Sequence, residues 1–272
     1  MRSKNNLTDP IWTTVTRKPY ADWLSEQFSD INRGQSAVVM ERSGRVKVTL
    51  ALTAPGTAIH SSQTRLEARL QIVCLDLEGV LIPEIWIEFS KRTGIPELAL
   101  TTRDEPDYDK LMRGRIEILN RKGLGLPDIQ KAIDTIRPLD GAREFLDWLR
   151  GYCQVVILSD TYYQFAAPLM RQLGYPTLFC HELVVDDAGR VRDYKLRLPE
   201  QKRESVKAFK ALNFHTIAAG DSYNDTAMLA EAHAGILFRP PAKVIAEFPQ
   251  FPVTTSYAEL RAEIIKASSG TY

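Results

Sequence analysis

From Gln71 onward, short apolar runs alternate with stretches of helical period: QIVCLD, QVVILSD, PTLFCHELVV, HTIAAGD and AGILF. Strand-length runs separated by amphipathic helices predict right-handed crossovers and a parallel sheet covered on both faces, an α/β fold of Rossmann-like type. Between the first two runs, from about Pro83 to Leu139, the period is helical and no strand signal occurs. A crossover of that length predicts a small α-helical cap at 84–139 inserted into a core made of 70–83 and 140–272. EIWIEFSKRTG would open the cap, YDKLMRGRIEILNRKG continue it and LPDIQKAIDTI close it, with Gly94 and Gly123 as helix stops. GAREFLDWLRG re-enters the core as a helix, and VVDDAGRVRDYKL reads as a hairpin about Asp187, Ala188 and Gly189.

Residues 1–69 follow another pattern, with basic residues in excess of acidic ones and no sustained apolar period. An irregular, poorly ordered N-terminal extension is expected there. Within it AVVMERSGRVKVTL predicts a hairpin about Ser43 and Gly44, and SSQTRLEARL a polar linker.

Composition narrows the function. A chain of 272 residues, 44% hydrophobic, can bury a full core, and its formal net charge of +1 gives no reason to expect nucleic acid as a partner. No apolar run reaches the length of a membrane span and the N-terminus lacks the apolar core of a secretory signal, so the expectation is a soluble, cytoplasmic protein without a membrane partner. Cys74, Cys153 and Cys180 lie in or beside strand-like runs, as small buried reduced thiols do. The four histidines have no zinc-site spacing and no CxxC is present, which argues against a zinc enzyme.

The chemistry is concentrated where apolar runs stop. DLEGV begins at Asp76 and GDSYND ends at Asp225. In an open α/β sheet ligands sit at the carboxyl ends of the strands, so such acids can converge on one divalent cation. A carboxylate can attack phosphorus if a cation cancels the repulsion between two anions, which suits Asp76. Glu78, two residues on, points to the same side of an extended chain and can hand a proton to a departing alkoxide. Gly79 would let the backbone turn tightly against a phosphate. Ser159, ending its run, offers a hydroxyl and an N–H to a phosphoryl oxygen, and a helix starting at Thr161 would aim its positive end there. A plain helix N-cap made by Ser159, Asp160 or Thr161 is the competing reading. Lys202 can neutralise a transferring phosphoryl group. Lys195, Lys207 and Lys210 lie near, and spacing does not choose among them. Asp221 can give Mg²⁺ an oxygen, and Asp225, at the start of the next helix, can orient a metal water or Lys202.

DLEGV, the Ser159 strand end, Lys202 and GDSYND, in that order, resemble the four motifs of the haloacid dehalogenase-like phosphohydrolases. Within that family, CLDLEGVLIPEIWIEF, TTRDEPDYDKLM, QVVILSDTYY, LMRQLGYPTLFCH, AAGDSYNDTAML, EAHAGILF and EFPQFP resemble the bacterial branch that is both phosphoserine phosphatase and phosphoserine:homoserine phosphotransferase. The resemblance implies Asp76 as the nucleophile that becomes an aspartyl phosphate and Glu78 as general acid and base. It implies Mg²⁺ as cofactor, held by the Asp76 carboxylate, the Glu78 carbonyl and Asp221, with Asp225 behind. Ser159 and Lys202 would grip the phosphate, with Asp160 and Asn224 lining the site. Glu84 would meet the substrate ammonium and Arg115 its carboxylate, with Arg113 a near competitor. The implied partners are small molecules, phosphoserine and homoserine, and a homodimer is carried as an expectation. Two departures stand out: most members carry Asp where this chain has Glu78, and Asp160 replaces a small residue. Phosphatase action on another small phosphate ester, or a receiver-type signalling module, are the rival readings. The long insertion after Asp76 and the late GDSYND oppose the signalling module, and a dinucleotide-binding dehydrogenase lacks its GxGxxG.

Overall fold

A computed structural model describes residues 70–101, 104–105 and 107–269, together with two strands further upstream. The chain divides into two compact units, Met1–Ala68 and Arg69–Tyr272. In the first, β1 (Ser36–Arg42) pairs antiparallel with β2 (Arg45–Ala51), in register from Ser36 opposite Ala51 to Arg42 opposite Arg45. That is the hairpin expected about Ser43 and Gly44. The expected poor order of the rest of the extension, and the linker up to residue 69, lie outside the described residues.

The second unit is a seven-stranded sheet in the order β6-β5-β4-β3-β7-β8-β9. β3 (Gln71–Leu75) is followed by α1 (Ile85–Thr93), a 3-10 turn at Pro96–Ala99, α2 (Tyr108–Lys122), α3 (Leu126–Ile133) and α4 (Ala142–Tyr152). β4 (Gln154–Tyr162), α5 (Tyr163–Gln172), β5 (Leu178–Val185) and β6 (Val191–Lys195) come next. α6 (Gln201–Ala211), β7 (His215–Gly220), α7 (Thr226–Glu231), β8 (Ala234–Phe238), α8 (Ala242–Glu247), β9 (Val253–Thr254) and α9 (Tyr257–Ser269) complete it. Every pairing is parallel except that of β5 with β6, the predicted hairpin. The stub β9 and the 3-10 turn were not anticipated, since two to four residues are too few to show a period.

β3 shows why the sheet needs cover on both faces. Val73 and Leu75 enter one apolar cluster with Ile157, Ile217, Leu146 and Ile264, while Ile72 and Cys74 enter another with Val156, Ala218, Val206 and Met228. Alternate residues of a strand point to opposite faces, and each fully buried Val or Leu contributes about 1.5–3 kcal/mol. The first cluster also takes in Phe89, Met112 and Ile129 from α1, α2 and α3. Gly94 and Gly123 end α1 and α2 in the left-handed conformation, as the sequence predicted.

One expectation is overturned. No helix begins at Thr161: β4 runs on to Tyr162 and α5 starts at Tyr163, with no side-chain cap. β-branched Thr161 and aromatic Tyr162 suit an extended chain, and Tyr162 pairs with His181 of β5 beyond a register shift.

Candidate active site

The strand order reverses at β3. From there the chain goes to β4 and β5 on one side, then crosses back to β7 on the other. Such a switch point leaves a crevice beyond the carboxyl ends of the adjoining strands. Asp76 follows β3 there, and its N–H donates to the Ala219 carbonyl at 2.9 Å. Ser159 lies on the final stretch of β4 and Asp221 directly follows β7. Distance in sequence is thereby cancelled by the sheet.

Oxygens of Asp76, Asp221 and Asp225 lie within 4.8 Å of one another. Lys202, in the first turn of α6, reaches into this group: its Nζ donates to Asp76 Oδ1 at 2.9 Å and to Asp225 Oδ1 at 2.8 Å, and forms an ion pair with Asp160 Oδ2 at 3.3 Å. This separates it from its neighbours in sequence. Lys195 is exposed, Lys207 pairs with Glu204, and Lys210 pairs with Glu231. Asp225, 0% exposed, turns its other oxygen to the N–H groups of Asp221 and Ser222 at 3.0 and 3.1 Å. With both oxygens engaged it braces the site from behind.

Burial, then the Asp225 charge, raises the Asp76 carboxyl well above its ordinary range, although Lys202 pulls it down. Burial, Asp225 and Glu84 push Asp221 up to about 7. Burial opposes the charge on Lys202, but Asp160, Asp225 and Asp76 outweigh it and hold the ammonium well above its usual range. The same balance works on Asp160: withdrawal from water would raise it, and Lys202, His181 and Asn224 bring it below the ordinary carboxylate range.

Gly79, at φ +77°, belongs to the tight turn after Asp76. A Cβ there would stand 2.5 Å from Cγ of Asp221. What the glycine makes room for is thus the Asp221 carboxylate, where the sequence reading had placed a phosphate. The turn is held by Leu81 and Ile82 N–H groups donating to the Leu77 carbonyl, and by the Tyr257 hydroxyl donating to the Val80 carbonyl at 2.6 Å. Glu78 stands in this turn, where its Oε2 accepts the Ile85 N–H at 2.9 Å. Withdrawal from water and the neighbouring Glu84 carboxylate push it up to about 8.

One cleft is lined by Asp76, Glu78, Ser159, Asp160, Lys202 and Asp221, and Glu84, Arg115 and Asn224 complete the predicted set on its walls. Among the predicted residues only Asp225 stands behind the lining. Arg115 is buried, its guanidinium 4.5 Å over the Trp86 ring and its Nη2 donating to the Leu100 carbonyl at 2.5 Å, while its Nε has no partner. Arg113, the competitor, faces solvent and pairs with Asp109 at 2.8 Å. Sequence reasoning missed Trp86, Tyr108, His181 and Gln201. Trp86 lies two residues from Glu84, and Tyr108 opens the helix that carries Arg115, so adjacency was a usable signal for both. Gln201 was missed beside Lys202: its Nε2 donates to the Ser159 carbonyl at 2.6 Å and joins α6 to β4. His181 gave no signal, being a lone histidine within a strand.

The fold and this cleft are those of a haloacid dehalogenase-like hydrolase. The chain belongs to that family, which it matches over residues 70–233. It is 62% identical over 200 residues to phosphoserine phosphatase ThrH of Pseudomonas aeruginosa, a match covering 74% of this chain and 98% of the relative. It is 57% identical over 225 residues to a phosphoserine phosphatase of Pseudomonas syringae pv. tomato, covering 83% and 91%. Among solved structures, a phospho-aspartyl intermediate analogue of phosphoserine phosphatase superimposes with a TM-score of 0.61 at 21% identity, covering 72% of this chain and 99% of that one. A likeness at that identity concerns the fold. Among the described residues no helix is long and apolar enough to cross a membrane.

Proposed function

We propose that this protein transfers the phosphoryl group of phosphoserine through an aspartyl phosphate on Asp76, either to water or to the hydroxyl of homoserine. The observation that carries the reading is the meeting of Asp76, Asp221 and Asp225 oxygens within 4.8 Å, with the Lys202 ammonium bound to Asp76 and Asp225. The two relatives named above support the substrate.

Mg²⁺ fits the acids. Two carboxyls are raised by burial and by the Asp225 charge, the donors are hard oxygens, and a glycine keeps the approach to Asp221 clear. Asp76, Asp221 and the Glu78 carbonyl would hold the ion, with Asp225 behind. Bound there, it would supply positive charge that lets a carboxylate and a phosphate dianion approach.

The chain's own groups do the rest. Asp76 attacks phosphorus in line, while Ser159 and Lys202 hold the phosphoryl oxygens as charge spreads over them. Glu78, held near 8, carries a proton at neutral pH and donates it to the departing serine oxygen. Glu84 faces the substrate ammonium, Arg115 its carboxylate, and Asp160 and Asn224 flank the phosphate. Helices α1 to α3 act as the cap over this cleft. Once serine has left, Glu78 takes the proton of the incoming hydroxyl. The oxygen of homoserine, which is one methylene longer with the same ammonium and carboxylate, attacks phosphorus, the bond from phosphorus to Asp76 breaks to restore the carboxylate, and phosphohomoserine leaves. Glu78 is itself one methylene longer than Asp, which displaces its proton by about 1 Å and favours a bound alcohol over water. The setting is cytoplasmic and the partners are small molecules.

Phosphorus NMR of the protein with phosphoserine, Mg²⁺ and graded homoserine tests this reading. Phosphohomoserine is expected to grow at the expense of inorganic phosphate, and no consumption of phosphoserine would overturn the substrate.

A further inference from the structure

An ammonium has three N–H donors. Two of those on Lys202 go to Asp76 and Asp225, whose side chains are 5% and 0% exposed, and the remaining partner is Asp160, 33% exposed, at 3.3 Å. Two of the three N–H groups are thus hydrogen-bonded, and the Asp160 carboxylate sits beside the ammonium as an ion pair without a hydrogen bond. A phosphoryl oxygen arriving at Nζ competes with these carboxylates for its charge, and of the three Asp160 is the most distant and the most exposed. Asp76 and Asp225 have no room to retreat, whereas Asp160 has somewhere to go. Its Oδ2 also accepts the Asn224 Nδ2–H at 3.1 Å, and its Oδ1 faces His181 Nε2 at 3.5 Å.

The histidine is set for that duty. Its Nδ1 accepts the Arg197 N–H at 3.2 Å, which leaves the ring hydrogen of the neutral imidazole on Nε2, directed at Asp160. The ring is 4% exposed and wedged between Tyr108 and Tyr162, with centroids 6.3 and 6.2 Å away. A separation of 3.5 Å is longer than an ordinary hydrogen bond, so the carboxylate can move toward the ring and gain by it.

We propose that Asp160 is a displaceable stand-in for the phosphoryl group on Lys202, and that His181 is the positioning residue that receives its carboxylate when the phosphate arrives. This rests on the phosphoryl-transfer reading given above. The return of Asp160 to Lys202 competes with bound inorganic phosphate and expels it after each turnover.

The test is the inhibition constant of inorganic phosphate against phosphoserine turnover at saturating Mg²⁺, in the wild type, Asp160→Asn, His181→Gln and the double variant. Asp160→Asn is nearly isosteric, keeps the Asn224 contact and removes the competing charge, so phosphate should bind about tenfold tighter. His181→Gln should act in the opposite sense, raising the phosphate constant and KM together by about threefold, because the carboxylate loses its alternative seat. In the double variant the His181 effect should vanish. A merely structural role for His181 would lower kcat and persist whatever stands at position 160. Unchanged or weaker phosphate binding in Asp160→Asn, or a His181 effect that survives in the double variant, overturns the proposal. A wild type that turns over no phosphoserine instead overturns the function on which it rests.

Discussion

Gly79 and Asp221 are packed so closely that a single methyl group on the first would overlap the carboxylate of the second, Cβ to Cγ at 2.5 Å. The positive φ of Gly79 adds backbone strain to any replacement. Gly79→Ala is therefore expected to displace Asp221, to raise the Mg²⁺ concentration needed for half-maximal rate, and to lower turnover by about 100-fold. Initial rates across a Mg²⁺ titration check this. An alanine variant with wild-type Mg²⁺ demand would show that Asp221 does not govern the metal.

Lys202 is the counter-charge of two buried acids. Lys202→Met strands Asp76 and Asp225 without it, at an expected cost of about 3–5 kcal/mol when measured by urea unfolding in chelator. Saturating Mg²⁺ should restore part of the stability and none of the activity. Loss of less than about 1 kcal/mol in chelator would contradict the burial argument.

Arg115 combines a stacked ring, a carbonyl contact and an unpartnered Nε on the cleft wall. Arg115→Lys keeps the charge but loses the planar fork, so KM for phosphoserine should rise about 10- to 100-fold with a smaller change in kcat. Arg113→Lys, altering a solvent-facing pair, should leave both constants near the wild type. Equal effects of the two substitutions would remove Arg115 from the substrate.

Buried thiols and phenols set the alkaline limit. Burial pushes Cys153 and Cys180 from an ordinary 9.0 up to about 12, and Tyr257 from 10.0 up to about 12. A group whose folded value is raised favours the folded state while it stays neutral. Its contribution is whole below the unfolded value and is lost as pH rises toward the folded one. Thermal stability should thus fall between about pH 9 and 12. At pH 8 the native thiols should resist alkylation, and counting modified cysteines with and without urea measures it.

Most of the architecture was readable because the core strands are short apolar runs with nothing to imitate them. Even the ends of α1 and α2 were marked, by Gly94 and Gly123. The end of β4 was misjudged because Ser, Asp and Thr signal a helix cap locally, whereas the pairing of Tyr162 with His181 is decided across the sheet. The motif acids were legible from their places at strand ends. The choice of Lys202 over Lys207 and Lys210 needed the direction of a helix, and Gly79 was recognised for the wrong neighbour. His181 was invisible because it approaches Asp160 from a strand 21 residues further along the chain.

β3 and β7 lie side by side, yet Leu75 and Ala219, which face each other in the ladder, are separated by most of the described chain. Asp76 is therefore synthesised well before Asp221, and the two meet only once β7 has been made. A nascent polypeptide halted before His215 would present Asp76 at the rim of a half-built sheet, unable to turn over. Catalytic competence therefore requires β7 to lie beside β3, and the appearance of activity during refolding should report that pairing.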